Sequence, residues 1–350
     1  MLIVGVDGHK QTLACSVVDD VGRELDACTF TNAPAGHDEL VAWAQATAGP
    51  EPVSYGLESA LSFTRVLCDR LVADGAVVFD VPPKLVERSR RQRGIGKSDV
   101  IDAREIARAV LRDHTRMVAL LPTAPLVRDL KLLVGHHTQL TRERTQATNR
   151  LHSDLVRLAP GYQELVPTLD SKPRQRAAAL LLRRQPPGAH VTIARSRLLR
   201  IAELDKQINA NKRLIQQHLR ATGSGLLGLR GVGAITAARI LAEVRDVRRL
   251  ESADAFARLN GTAPIPASSG QRDHHRLNRG GNRRLNHAIH TMALVQSRCD
   301  PRAQAYLAKH RAAGKTSRDA MRCLKRRLSD VIYRQLIADL TTPTDAPLIE

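Results

Sequence analysis

Aromatic side chains are scarce in this chain: Phe, Tyr and Trp together make up 3% of its 350 residues. Modules that hold single strands by stacking bases on aromatic platforms are therefore disfavoured. Cysteine is sparse as well. The five present (Cys15, Cys28, Cys68, Cys299 and Cys323) form no C-x-x-C pair and no Cys/His spacing suited to zinc. They read as buried free thiols in a reducing compartment. No apolar run of about 18 residues and no secretory signal pattern occurs, which points to a cytoplasmic protein without a membrane partner. Negative charge is the minority sign: 35 Asp and Glu stand against 54 Lys and Arg, a formal net charge of +19.

What is present is unevenly spread. Residues 1–80 carry four basic and twelve acidic side chains, net −8, so residues 81–350 carry +27. Such a basic excess implies a polyanionic partner, and nucleic acid is the natural one. Hydrophobic residues at 43% are enough for real cores, so the chain should fold rather than remain disordered.

"MLIVGVD", "TLACSVVDD" and "ELDACTF" are short β-rich runs separated by turn residues, and predict an antiparallel meander. "HDELVAWAQAT" reads as a helix, "VSYGLE" as a strand, "SALSFTRVLCDRLVADG" as a helix and "AVVFDVPP" as a strand. A basic loop, "RSRRQRGIGK", then leads into the helix "SDVIDAREIARAVL". The order β-β-β-α-β-α-β-α defines an α/β domain over residues 1–118. Residues 119–220 turn helical, with Leu126, Leu130, Leu133, Leu151, Leu155 and Leu158 at helical spacing. Ile201, Leu204, Ile208, Asn211 and Ile215 form a short heptad seam, so this segment predicts a helical hairpin or coiled coil that oligomerises. Residues 221–338 make a third, mainly helical unit, and 339–350 a tail.

Two aspartates stand out. Ser98 is a good N-cap, and Asp99 and Asp102 would suit the positive end of the helix it starts. Yet at 100° per residue Asp99, Asp102, Ala103, Ile106 and Val110 share one face, while Arg104, Arg108 and Arg112 take the opposite, solvent face. Two acids three positions apart on an inward stripe need a cation or a raised pKa. Asp7 ends the first strand and Glu58 the fourth, positions that hold an acid rigidly at a cleft. Asp19, Asp20, Asp26 and Asp38 fall in turns or strand edges and read as solubility residues. Acids from two strand ends and a following helix form the ribonuclease-H-like arrangement, where all-oxygen ligands hold a pair of Mg²⁺ ions, with Mn²⁺ as the alternative.

In the third unit, "LLGLRGVGAITAARILAEV" resembles a helix-hairpin-helix, whose Arg230, Gly231 and Gly233 would meet phosphates. "PIPASSGQRDHHRLNRGGNRRLNHAI" is a polar loop entering a helix, and its cluster Arg276, Arg279, Arg283 and Arg284 predicts phosphate contact, as does Lys97 in the N-terminal half.

Asp7 in "IVGVDGHK", Glu58 in "YGLES" and Asp99 with Asp102 in "KSDVIDA" resemble the D-E-D-D set of a RuvC-like nuclease domain. "LRGVGAITAARILAEV", "FARLNGTAPIPASSG" and "RGGNRRLNHAI" resemble the transposase-20 domain. In order, they are similar to the DEDD transposases of the one-ten family of bacterial insertion sequences over nearly the full chain. Gly8, where a larger residue is common, and "LNRGG", where Ser-Lys-Arg-Gly is more usual, depart from the pattern. The resemblance implies a RuvC-like domain, a coiled-coil linker and a C-terminal transposase domain. It further implies a serine nucleophile directly before the motif glycine (Ser269, with Ser268 as the alternative) and a structured noncoding RNA that pairs with donor and target DNA. The two halves would then meet in a homo-oligomer, dimer or tetramer, with composite active sites. A junction-resolving endonuclease, which needs the acids and no serine, and a non-enzymatic nucleic-acid binder are the competing expectations.

Overall fold

The computed structural model describes residues 1–341 except 59, 61, 93–95, 97, 115, 116, 118, 267–274, 277 and 279, with the backbone alone at Gln92, Pro266, His275 and Arg276. The chain divides into two compact units, residues 1–122 and 123–350.

The first unit runs β1 (Leu2–Gly8), β2 (Thr12–Val18), β3 (Glu24–Thr31), α1 (Pro34–Ala48), β4 (Val53–Glu58), α2 (Arg65–Ala73), β5 (Val77–Val81), α3 (Pro83–Gln92) and α4 (Asp99–Asp113). The expected meander is there, with Val4 opposite Val17 and Cys15 opposite Cys28 in antiparallel register. β4 then joins β1 in parallel, Val6 beside Leu57, giving one mixed sheet of order β3-β2-β1-β4-β5. This is the ribonuclease-H-like, RuvC-like topology anticipated from the sequence. β1 is buried on both faces, as a central strand with a helical layer on each side must be. Leu13, Leu40, Leu57 and Leu67 fill one layer, and Ile3, Phe79, Ile106 and Val110 the other.

Helix α4 lies on the sheet unusually closely. A Cβ on Gly5 would sit 2.0 Å from the Ala103 carbonyl oxygen and 2.6 Å from the Ala107 nitrogen, and one on Gly56 would sit 2.6 Å from Val110 Cγ2. Gly5 admits the helix backbone itself, and Gly56, on the adjacent strand, admits the Val110 and Ile106 side chains.

Three readings need correction here. The basic stretch taken as a loop is helical from Pro83 to Gln92, because Leu85 and Val86 pack into the β5–α4 core and anchor the turn carrying the arginines. Arg104 and Arg108 do not point into solvent: they lie under the β2–β3 hairpin, Arg104 Nη1 3.1 Å from Glu24 Oε2 and Arg108 Nε donating to the Gly22 carbonyl at 2.9 Å. The hairpin overhangs the helix, which a helical wheel cannot foresee. Of the five free cysteines only Cys15 and Cys68 are buried; Cys28, on the largely exposed edge strand β3, and Cys323 are half-buried, and Cys299, at the end of α10, is exposed.

The second unit runs α5 (Pro125–Leu158), α6 (Lys172–Arg183), α7 (Ala189–Ala221), α8 (Ala234–Val244), α9 (Ala253–Asn260), β6 (Ile265–Pro266), β7 (His275–Arg276), α10 (Arg283–Cys299), α11 (Pro301–Ala312) and α12 (Ser317–Thr341). α5 and α7 pack antiparallel: Arg144 Nε reaches Asp205 at 2.5 Å and Arg200 Nη2 reaches Glu143 at 2.8 Å. The heptad seam faces α5 of the same chain, with Ile201, Leu204 and Ile215 buried. Its polar member is satisfied, Asn211 Nδ2 donating to the Leu133 carbonyl at 2.9 Å. One end of this hairpin is rooted in the C-terminal core with Ile289, Leu324 and Ile332; the other closes a separate core with α6. No described helix is long and apolar enough to cross a membrane.

Gly5→Ala is expected to destabilise the first unit by about 2–3 kcal/mol, the cost of overpacking a site with no room to give. Gly188→Ala, where φ is 178° and nothing lies within 4 Å of the new carbon, should be close to neutral. Chemical denaturation of both variants checks the contrast.

Candidate active site

The strand register brings acids together before any side chain is considered. Val6 pairs with Leu57, so Asp7 and Glu58 are the next residues along two adjacent parallel strands. Asp7 is buried and Glu58 half-buried. Ser98 caps α4, its Oγ accepting from the Ile101 N–H at 3.3 Å, and this places Asp99 and Asp102 in the first turn. The Gly5 contact with Ala103 then presses that turn against β1.

Asp7 and Asp99 meet through a residue that sequence reasoning passed over. His9 Nε2 lies 3.5 Å from Asp7 Oδ2 and 3.3 Å from Asp99 Oδ2. One ligand atom from each of Asp7, His9 and Asp99 falls within 4.8 Å of the others. The signal for His9 was its place in "VDGHK", two residues past a strand-end acid, where the alternation of a strand returns to the same side.

Asp102 is held differently. Arg90 Nη1, from α3, donates to Asp102 Oδ1 at 2.8 Å and Oδ2 at 3.2 Å, and both side chains are largely buried. This is the cation that an inward acid on this stripe requires. Asp99, in contrast, is 59% exposed, so the pair does not share one buried face. A third carboxylate of the same helix is the fully buried one: Glu105 accepts from Ser89 Oγ at 2.5 Å and from Arg108 Nη1 at 2.8 Å. Glu105 thereby ties α3 to α4 and fixes where Arg90 stands. Its place one turn after Asp102 in "DAREIAR" was the available clue.

Loops behind the acids are pinned by Asn32, which follows β3. Its Nδ2 donates to the carbonyls of His9 at 2.8 Å and Phe63 at 3.0 Å, and its Oδ1 stands 3.0 Å from Nε2 of the buried His37. Asp80 Oδ1 accepts from the Ala60 N–H at 2.9 Å, holding the chain just beyond Glu58. Gly8 is explained by the same crowding, because a Cβ there would meet Thr64 Cγ2 at 2.0 Å.

In the second unit, Gly231 has φ +82° and a Cβ there would press on the Met292 carbonyl at 3.1 Å, so α10 already accounts for this glycine. Gly233 caps α8 without a side chain, and Arg230 Nη1 lies 3.8 Å from Asp300. Arg284 Nη1 is 3.6 Å from Glu243, while Arg283 is exposed at the start of α10. Asn282 caps that helix by accepting from the Arg284 and Leu285 N–H groups, both at 3.0 Å. Arg276 is described only as backbone of β7, paired with Ile265. Ser268, Ser269, Arg279 and Lys97 lie outside the described residues. The loop that carries the serines is closed at its base, where a Cβ on Gly281 would fall 2.4 Å from the Gly261 nitrogen.

Arg90→Ala is expected to lower stability by about 2 kcal/mol by leaving Asp102 without its counter-charge, and Arg90→Ala/Asp102→Asn should recover most of that loss in thermal unfolding. Burial holds His37 below its ordinary pKa, so its contribution to stability is full above about pH 6.5 and lost as pH falls towards the lower folded value. A His37→Gln variant should show less acid sensitivity between those limits.

The family model for the DEDD transposase domain of IS110 type, described as a transposase, matches residues 4–160. That described as "Transposase IS116/IS110/IS902 family" matches residues 224–308. The chain is 26% identical to the insertion element IS900 uncharacterized 42 kDa protein of Mycobacterium paratuberculosis, over 95% of this chain and 94% of that one. It is 27% identical to the insertion element IS116 uncharacterized 44.8 kDa protein of Streptomyces clavuligerus, with the same coverage of 95% and 94%. Among solved structures, RuvC of T. thermophilus in complex with a Holliday junction substrate aligns over 34% of this chain and 99% of its own, at 18% identity and a TM-score of 0.26. The two family matches and the end-to-end relatives agree: this chain belongs to the IS110 family of insertion-element transposases.

Proposed function

We propose that this transposase cuts and exchanges DNA strands at a divalent-metal site formed by Asp7, Glu58, Asp99 and Asp102, with a serine of the second unit as the attacking group. The observation that carries the reading is the Asp7–His9–Asp99 cluster, three ligand atoms within 4.8 Å at the end of the central strand. Carboxylate oxygens suit Mg²⁺, and a ring nitrogen among them also suits Mn²⁺. Two such ions would polarise the scissile phosphate and neutralise charge on the attacking and leaving oxygens. The chain's own groups do the rest. His9 orients Asp7 and Asp99 towards each other. Arg90 holds Asp102 in place through its paired hydrogen bonds, and were Asp102 to ligate a cation, the guanidinium would be free to pair with a substrate phosphate.

Ser269 Oγ, or Ser268 as the alternative, attacks phosphorus. A P–Oγ ester forms and the P–O3′ bond breaks; the seryl proton passes to a carboxylate or water, and O3′ takes up a proton to leave as a hydroxyl. The product is a 5′-phosphoserine link that conserves the phosphoester energy for rejoining. The serine of one subunit would serve the carboxylates of another, which makes the working form an oligomer. A structured noncoding RNA from the same element would choose the sequence by base pairing while the basic surface holds backbones.

Asp7→Asn and Asp102→Asn should each lower strand cleavage by about a hundredfold or more while retaining DNA affinity. His9→Ala should weaken Mn²⁺ binding about tenfold by electron paramagnetic resonance. Ser269→Ala should abolish the covalent protein–DNA adduct with folding unchanged. An adduct lost only in Ser268→Ala moves the nucleophile by one residue. Normal recombination in both serine variants would replace the serine mechanism by that of a junction-resolving endonuclease, and unimpaired cleavage in the Asp variants would remove the metal site.

A further inference from the structure

Helix α10 is flanked by two cations that the acids of the first unit do not account for. Arg239, from α8, and Lys325, from α12, approach it at neighbouring residues. Arg239 Nη1 lies 3.1 Å from His287 Nδ1, and Lys325 Nζ donates to Asn286 Oδ1 at 2.5 Å. Among the described residues, neither cation is paired with a carboxylate, and both are only partly exposed. Glu243 acts on Arg239 at a distance, and its carboxylate already accepts from Asn282 Nδ2 at 2.7 Å and faces Arg284 at 3.6 Å.

Half-buried cations resting on neutral acceptors are costly in the free protein. The cost is visible along the whole group. Burial, partly offset by attraction to Glu243 and reinforced by repulsion from Arg284, lowers the Arg239 pKa, and burial with Arg322 lowers that of Lys325. His290 is pushed down by burial, Lys325 and His287. On α5, His137 is pushed down by burial and by Arg239, and its Nδ1 is buried without a hydrogen-bond partner. Positive charge therefore accumulates on α8, α10 and α12, where Arg284 repels Arg239 and Arg322 repels Lys325, and an incoming anion would relieve that repulsion. A single small anion meets one or two of these groups; a polyanion meets the row.

We propose that Arg239 and Lys325, flanking the first half of α10 with His287 and His290 between them, form a binding site for the phosphodiester backbone of a nucleic acid. The site rests on the reading of this chain as one that acts on DNA, and adds to it a grip placed on helices rather than on the serine loop. It reads no bases, since every group named is a cation or a ring nitrogen poised for phosphate oxygens.

The test is fluorescence anisotropy on the full chain with two probes, a duplex DNA of unrelated sequence and a structured RNA hairpin, across a salt series. Arg239→Gln/Lys325→Gln should raise Kd at least about tenfold on one or both probes near 100 mM salt, and make the log–log salt slope on the duplex shallower by about 1.8, two phosphate contacts. Which probe loses affinity identifies the strand held there. Arg239→Lys/Lys325→Arg, which keeps both charges, should stay within about threefold of wild type. Should the double Gln variant fail to fold, Lys325→Gln alone should change the slope by about 0.9. Unchanged Kd and slope in a folded variant would overturn the proposal, as would an equal loss in the charge-retaining pair. In those cases wild-type binding and metal-dependent cleavage would leave the parent reading standing; a wild-type chain that binds neither probe would remove both.

Discussion

Everything in the N-terminal unit depends on how near α4 comes to the sheet. With side chains on Gly5 and Gly56 the helix would ride higher, and its first turn would no longer meet the ends of β1 and β4. At Gly5 the approach is to the helix backbone itself, so it does not depend on side-chain rotamers, while at Gly56 the strand meets the methyls of Val110 and Ile106. Rigid placement is what a constellation of like charges needs, because nothing in the acids themselves would draw them together. Hydrophobic burial of Ile106, Ala107 and Val110 supplies the force, and glycine supplies the distance.

That contact also explains why the site was only partly legible in the sequence. The strand-end acids Asp7 and Glu58 were visible, because a strand followed by a turn is a local pattern. Asp102 was visible as an anomaly, an acid on an apolar stripe. Its counter-charge was not, because Arg90 sits on a helix whose composition, "ERSRRQ", looks like loop. The tertiary anchor at Leu85 and Val86 overrode that local signal. His9 was hidden for another reason: its meaning lies in the gap between β1 and the first turn of α4, a separation of some ninety residues. Asn32 and Glu105 are likewise meaningful only through partners distant in sequence, His9 and Phe63 for one and Ser89 for the other.

The helical half was legible as periodicity and turn chemistry, and less so as purpose. The heptad seam of α7, read as part of a helical hairpin or coiled coil that oligomerises, packs on α5 of the same chain, with Asn211 as its polar member. The glycines of "RGVGA" illustrate how a motif can serve two masters. Gly231 is required by its positive φ and by the Met292 carbonyl, whatever it does for a ligand.

A last consequence concerns the base of the serine loop. Gly261 and Gly281 touch backbone to backbone, Asn282 N donates to the Leu259 carbonyl at 2.6 Å, and a two-residue ladder joins Ile265 to Arg276. The entry and exit of that excursion are thus defined by main-chain atoms and by two residue types, not by the residues it encloses. Such a neck acts as a socket. A change in length between its two ends adds only a slowly growing loop-closure cost, and α9 and α10 keep the main-chain contacts that join them.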